Sequence, residues 1–343
     1  LELIGVSEIA ELAGVSRQAV FNWQARHSSF PAPVAELRSG PVWRREDIEQ
    51  WLMAKEGKMA KVVSFINLKG GVGKTTICIA MSEFLAVEHD KRVLVVDLDP
   101  QTNATTALIQ QTEWKKRDQS GQTIRQLFED SLRKTSVFDI QKAIIRGVSN
   151  LRGGIPNLSL LPSSLGLIEI QDQLALIPGG NFYAVSPVSL LKKALKPVLT
   201  EYDYILIDCP PNLGIITLNG IGISKGFVIP TIPDILSTYG LPQILNRIED
   251  FNTNAGTSAV PMGIIIAKYR AQSGLHNSKV RQLRGDANNG KLPPIFDTVV
   301  PEAAQVAESA DFTASVKTLK QKYGYGNNYT VFSNLAGEFL SRC

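Results

Sequence analysis

Eight consecutive residues, Lys69-Gly70-Gly71-Val72-Gly73-Lys74-Thr75-Thr76, could cradle a phosphate. Glycines let backbone N–H groups close around phosphate oxygens with no Cβ in the way. Lys74 would sit on the β and γ phosphates of a nucleotide, and the Thr75 hydroxyl would ligate Mg²⁺. Two acidic segments accompany the loop. One runs from Val96 to Thr105 and holds Asp97 and Asp99; the other, Tyr204 to Pro211, delivers Asp208. A carboxylate at the C-terminal end of a parallel strand faces the ligand crevice. Phosphoryl transfer needs positioned charge more than covalent chemistry. The ordinary pattern GxxxxGK[ST] opens on a glycine. This loop lacks it and carries Lys69 ahead of its glycine pair. Lys69 is thus a second cation at an anion site that already has Lys74, well placed to reach a phosphate of a facing subunit's nucleotide.

Such a loop must follow a strand and open a helix. VVSFIN (62–67) precedes it, and TTICIAMSEFLAV follows as a helical run. RVLVVDLD (92–99), YILID (204–208), GFVIP (226–230) and GIIIA (263–267) are further continuous apolar runs, and LSLLP (158–162) is another strand candidate. Runs of this kind suit strands buried on both faces. The expected fold class is α/β: a mostly parallel twisted sheet with helices on both faces. TIRQLFEDSL (123–132) reads as a helix and PGGNFYAVSP (178–187) as a loop. The pattern changes character near Lys55 to Lys61. The expected domains are 1–57, small and mainly helical, and 58–343.

The three motifs resemble those of the deviant Walker A ATPases, a family that includes the ParA-type partition ATPases and the MinD-type division-site ATPases. KGGxGKT[TS] and DxDPQxNAT are matched at 69–76 and 97–105, and Asp208-Cys209-Pro210-Pro211 stands as the Walker B equivalent. The resemblance covers Ala60 to Cys343 and is loose between Gln110 and Tyr202. It implies ATP and ADP as ligands with Mg²⁺, and an ATP-sandwich homodimer crossed by Lys69. It implies that Asp99 orients the attacking water, that Asp97 lies near the outer shell of the metal, and that Asp208 holds the metal through a water. Pro233 and Lys268 fall where relatives place the adenine. The family's dimer binds DNA without sequence preference, and a ParB-like centromere-binding protein stimulates hydrolysis.

The segment Glu8 to Trp23 reads as helix, turn, helix. Ala10 allows a close approach, Gly14 sits at the turn, Val20 packs back, and Ser16 is a natural N-cap. This is the spacing of a DNA-binding helix-turn-helix. Ser16 would cap the second helix, and Arg17, Gln18 and Asn22 would face the major groove, with side chains suited to guanine or adenine edges. A hairpin about Arg38 to Pro41 and a helix from Arg44 to Leu52 complete a unit that resembles the winged-helix modules of the MerR and excisionase type. Residues 1–58 hold seven basic and eight acidic side chains, so charge alone does not announce a DNA reader.

A second basic stretch runs from Lys268 to Arg284 and contains Lys279, Arg281 and Arg284 with no acid among them. Contacts from such residues to phosphates carry no base information. The whole chain, 343 residues with a net charge of +4 and 44% hydrophobic residues, has ordinary globular composition. Its three cysteines form no disulfide framework, and its three histidines have no metal-ligand spacing. No apolar run is long enough to span a membrane. The stretch 330–340 reads as a core-packed helix rather than a membrane anchor. The expectation is a cytoplasmic, nucleoid-associated partition ATPase whose N-terminal domain binds its own operator. A nucleotide-sensing transcriptional regulator and a positioning ATPase for a protein cargo are the alternatives.

Overall fold

A computed structural model describes residues 2–27, 29–37, 40–55, 59–175, 187–303, 312 and 315–343. The expected 178–187 loop lies outside them except for Pro187. So do the 57/58 boundary and the hairpin residues Arg38 and Ser39. Two compact units are present. One comprises Leu1–Ala60 with Leu199–Asp203, the other Lys61–Val198 with Tyr204–Cys343.

The smaller unit runs β1 (Leu3–Gly5), α1 (Val6–Leu12), α2 (Arg17–Arg26), β2 (Ala35–Leu37), β3 (Gly40–Arg44) and α3 (Arg45–Lys55). Its antiparallel sheet has the order β1-β3-β2. Gly14 takes a positive φ of 63° between the helices, and the Ser16 hydroxyl accepts the Ala19 N–H at 3.3 Å to start α2. Ile9, Val20, Trp43 and Ile48 are fully buried. A unit this small has little interior, and aromatic rings fill much of it. The Phe30 and Trp51 ring centroids lie 4.8 Å apart, and the Trp43 indole donates to the Pro31 carbonyl at 2.8 Å.

The larger unit continues with β4 (Lys61–Phe65), α4 (Lys74–Glu88), β5 (Val93–Asp97), α5 (Asn103–Leu108), α6 (Gln111–Gln119), α7 (Ile124–Arg133) and α8 (Ile140–Ala143). Then come β6 (Ile145–Arg146), β7 (Leu158–Leu161), α9 (Leu167–Ala175), α10 (Leu190–Leu195), β8 (Tyr204–Asp208) and α11 (Ile215–Ile223). It ends with β9 (Gly226–Thr231), α12 (Ile235–Ala255), β10 (Val260–Ile266), α13 (Gly274–Asn288), α14 (Leu319–Tyr323) and α15 (Asn327–Arg342). The seven-stranded sheet has the order β10-β9-β4-β8-β5-β7-β6. All neighbours are parallel except the short edge strand β6, which runs against β7.

Alternate strand residues feed opposite faces. Val63, Phe65, Val95, Leu160, Leu206 and Val228 share a core cluster with Ile77, Phe84 and Leu85 of α4 and Phe332, Leu335 and Phe339 of α15. Their neighbours Val62, Leu94, Val96, Ile205 and Ile207 are also buried, on the opposite face. Helices therefore cover both faces. In such a sheet the ligand crevice lies beyond the carboxyl ends of the strands.

Candidate nucleotide-binding site

The phosphate loop leaves the C-terminal end of β4. Asn67 anchors its start: the side-chain amide donates to the Pro230 carbonyl at 2.8 Å, and its oxygen accepts the Lys69 N–H at 2.9 Å. Gly71 and Gly73 adopt φ of 74° and 93°, which a side chain would strain. A Cβ at Gly70 or Gly71 would meet no protein atom within 4 Å, so the loop faces open space at both positions. Val72 is buried and pins the loop from beneath. Gly73 caps α4, whose first N–H groups and partial positive charge point into the loop. Thr75 and Thr76 lie half-buried in that first turn.

Lys74 is buried, and its ammonium donates to the Lys69 carbonyl at 3.3 Å. Burial lowers its pKa, while Asp208 and Asp99 pull the other way. Asp97 and Asp208 are register partners on the adjacent strands β5 and β8. The Asp97 carboxylate is fully engaged. One oxygen accepts the Thr105 N–H at 2.8 Å and hydroxyl at 2.7 Å, and the other accepts the Asp99 N–H at 3.0 Å. Burial still pushes its pKa up to about 7 against those hydrogen bonds. Asp208 differs. Both of its oxygens are buried and no hydrogen bond of full geometry reaches either, although the Thr75 side chain is close enough to act on them. Burial first, then the Asp97 charge, raise its pKa well above the carboxylate range, with Thr75 and Lys74 offsetting part of this. A buried carboxylate left so is costly. A cation between it and the Thr75 hydroxyl is the group that would satisfy it. Asp99 is buried too, and its side chain accepts the Gln101 N–H at 2.9 Å. Ser163 braces this turn, donating its hydroxyl to the Asp99 carbonyl at 2.8 Å.

The Lys69 ammonium meets Asp234 of the same chain at 2.6 Å, with the two side chains 34% and 27% exposed. Asp234 follows Pro233, just past the end of β9, and Lys268, exposed with φ of 48°, follows the end of β10. Ala267 lies 3.8 Å from where a Cβ on Gly73 would stand. Pro233 and Lys268 therefore flank the loop at the same sheet edge. Asn67, Ser163 and Asp234 support the site from outside the three motifs, and Thr105 supports it from within the second. Asn67 carried a signal, a polar residue ending an apolar strand beside the glycines. Asp234 carried none, because its partner is 165 positions away.

The candidate DNA contacts fall in two places. In the smaller unit Arg17, Gln18 and Asn22 are exposed on α2, while the Ser16 hydroxyl serves the helix cap. In the larger unit Lys279, Arg281 and Arg284 lie on α13. Arg281 is exposed, and Lys279 donates to Gln282 at 2.9 Å. Arg284 is ion-paired with Asp297 at 3.2 Å, and Arg270 with Glu302. The acid-free stretch thus receives acids from the segment that follows it.

A family profile described as an AAA domain matches residues 60–259. The sporulation initiation inhibitor protein Soj of Bacillus subtilis is 31% identical over 251 residues, spanning 73% of this chain and 88% of that protein. The chromosome-partitioning ATPase Soj of Treponema pallidum is 28% identical over 289 residues, or 83% of this chain and 98% of its own. Among solved structures, a plasmid partition protein from Borrelia burgdorferi bound to AMPPNP superposes with a TM-score of 0.61 at 20% identity. It covers 83% of this chain and 100% of its own. Cobyrinic acid a,c-diamide synthase from Mycobacterium smegmatis with bound ADP and magnesium gives a TM-score of 0.61 at 24% identity, over 82% and 94%. At these identities the structural likeness bears on the fold.

Proposed function

Because the chain belongs to the ParA-type partition ATPases, we propose that it uses ATP binding and hydrolysis to segregate a plasmid or chromosome. The observation that carries the catalytic part is the buried Asp208 carboxylate, which no hydrogen bond of full geometry satisfies, beside Thr75 at an open glycine loop. Mg²⁺ would be held by Thr75 directly, by Asp208 through a water and by Asp97 from the outer shell. Bound with ATP, it would supply neutralising charge at the β and γ phosphate oxygens. The chain does the rest by positioning. The N–H groups of Gly70 to Thr76 bind phosphate oxygens, and Lys74 places its cation on the β and γ phosphates. Asp99, held by Gln101 and Ser163, orients the attacking water. Pro233 and Lys268 flank the adenine.

Lys69 gives the site its dependence on a second copy. It would leave Asp234 and reach a phosphate bound by the facing chain, so that ATP, and not ADP, assembles the homodimer. The dimer would then bind DNA without sequence preference through Lys279, Arg281 and Arg284, in the cytoplasm on the nucleoid. A ParB-like centromere-binding protein would stimulate hydrolysis and release. The smaller unit would bind operator DNA through α2 and repress expression of the chain itself. Among the described residues no helix is long and apolar enough to cross a membrane.

Sedimentation and DNA retention test this together. With Mg²⁺ and a non-hydrolysable ATP analogue the chain should sediment as a dimer and hold non-specific duplex DNA, and with ADP it should do neither. Lys74→Ala should abolish both responses. An ATP-independent sedimentation coefficient with unchanged DNA retention would overturn the proposal.

A further inference from the structure

Helix α2 presents a face that its polar residues do not fully account for. Successive residues of an α-helix are rotated by about 100°. Val20 is fully buried and Trp23 half-buried, and they define the inward side. On the outward side Arg17 and Asn22 mark the two edges. Phe21 stands between them, 46% exposed, one turn along from Arg17. Phe30, Trp43 and Trp51, large aromatics of the same unit, are turned into its core. A phenyl ring held out among an arginine and two amides is not needed for the packing of the helix.

Charge indicates what this face complements. Helix α2 carries Arg17 and Arg26 and no acidic residue, whereas Glu8 and Glu11 lie on α1, Glu36 on β2, and Glu46, Asp47 and Glu49 on α3. It is therefore the helix of this unit that suits a phosphate backbone. In the major groove each base edge offers hydrogen-bond donors or acceptors, and thymine alone adds an apolar group, its C5 methyl. Arginine and the amides answer the polar edges, and a phenyl ring answers the methyl.

We propose that Phe21 is a specificity-determining residue that reads the C5 methyl of a thymine, between the bases read by Arg17 and Gln18 and those read by Asn22. The inference rests on the operator-binding role of the smaller unit and names the base chemistry it would select. Removing a thymine methyl forfeits the burial of about one carbon, an effect of about fourfold in affinity.

The test uses the full chain. Selection from a randomised duplex pool gives the preferred site. Each of its thymines is then replaced singly by deoxyuridine, which deletes the methyl alone, and affinity is read by fluorescence anisotropy. The wild-type chain should lose about fourfold at one thymine of a half-site. Phe21→Ala should bind the original site more weakly and be indifferent to that replacement, and Phe21→Leu should keep part of the response. Near-UV circular dichroism from the buried tryptophans checks that both variants are folded. A wild-type chain indifferent to every deoxyuridine, or a Phe21→Ala variant that keeps the full response, overturns the inference alone. So does a Phe21→Ala variant that changes only the oligomeric state, because the ring then serves a protein contact. If selection enriches no sequence, the operator-binding reading itself falls.

Discussion

Two buried carboxylates lie side by side on adjacent strands, and the fold treats them differently. Asp97 is held by three donors from Thr105 and Asp99, whereas no hydrogen bond of full geometry reaches Asp208. The first braces the turn that carries Asp99, whatever its place in the outer shell of a metal, and the second is the group that the proposed Mg²⁺ site would engage. Both are raised in pKa by burial, Asp97 from 3.8 to about 7. A carboxyl whose folded-state pKa exceeds its unfolded value favours the fold while protonated. That contribution fades as pH rises from the unfolded value through the folded one. The nucleotide-free chain should therefore unfold at lower urea concentration at about pH 8 than at about pH 5.5. Asp97→Asn should flatten that slope, because the amide stays neutral across the window. Urea midpoints at the two pH values, with and without the substitution, check it.

Helix α7 shows how one residue can set an element's end. Asp130 accepts from Gln126 at 2.9 Å, Thr135 at 2.6 Å, and the Val137 and Phe138 N–H groups at 2.7 Å each. Burial works against the charge, but the bonds from Thr135, Phe138, Gln126 and Val137 outweigh it and hold the carboxyl below its usual pKa. Asp130→Ala strands those donors and should cost about 1–3 kcal/mol in urea unfolding. In the wild-type chain that stability is present above the unfolded pKa and is lost as pH falls through the folded one. The same contrast between local and distant causes explains what the sequence discloses. The strands β4, β5, β7, β8, β9 and β10 are legible because burial on both faces makes them continuous apolar runs. The loop and its aspartates are legible because each lies at the end of such a run. Strands β1 and β6 are edge strands of three and two residues, too short for any periodicity. The pairing of Lys69 with Asp234, of Arg284 with Asp297 and of Arg270 with Glu302 depends on which loops the fold brings together. No local pattern encodes that.

Across the larger unit, the helix that opens the nucleotide site is secured from the far end of the chain. Glu83, on α4 and fully buried, receives Lys322 at 2.7 Å, the Tyr323 hydroxyl at 2.8 Å and the Ser149 hydroxyl at 2.5 Å. Truncating one member of a buried pair leaves the other charge uncompensated. Lys322→Met should cost about 3–5 kcal/mol in urea unfolding, and adding Glu83→Gln should recover a large part of it. The Lys69–Asp234 pair obeys the opposite arithmetic. It is partly solvated, and such pairs contribute about 0–1 kcal/mol. Charge-assisted bonds to a phosphate are stronger, so a facing triphosphate can draw Lys69 away at little expense. Asp234→Asn should leave the free energy of urea unfolding within about 1 kcal/mol of wild type. Lys69→Ala should do the same and should still bind fluorescent ATP, because Lys74 and the loop amides remain. What it should lose is ATP-dependent dimerisation, read by sedimentation at matched nucleotide saturation. A Lys69→Ala chain that dimerises with ATP as the wild type does would confine Lys69 to its own chain and leave Asp234 as its lasting partner.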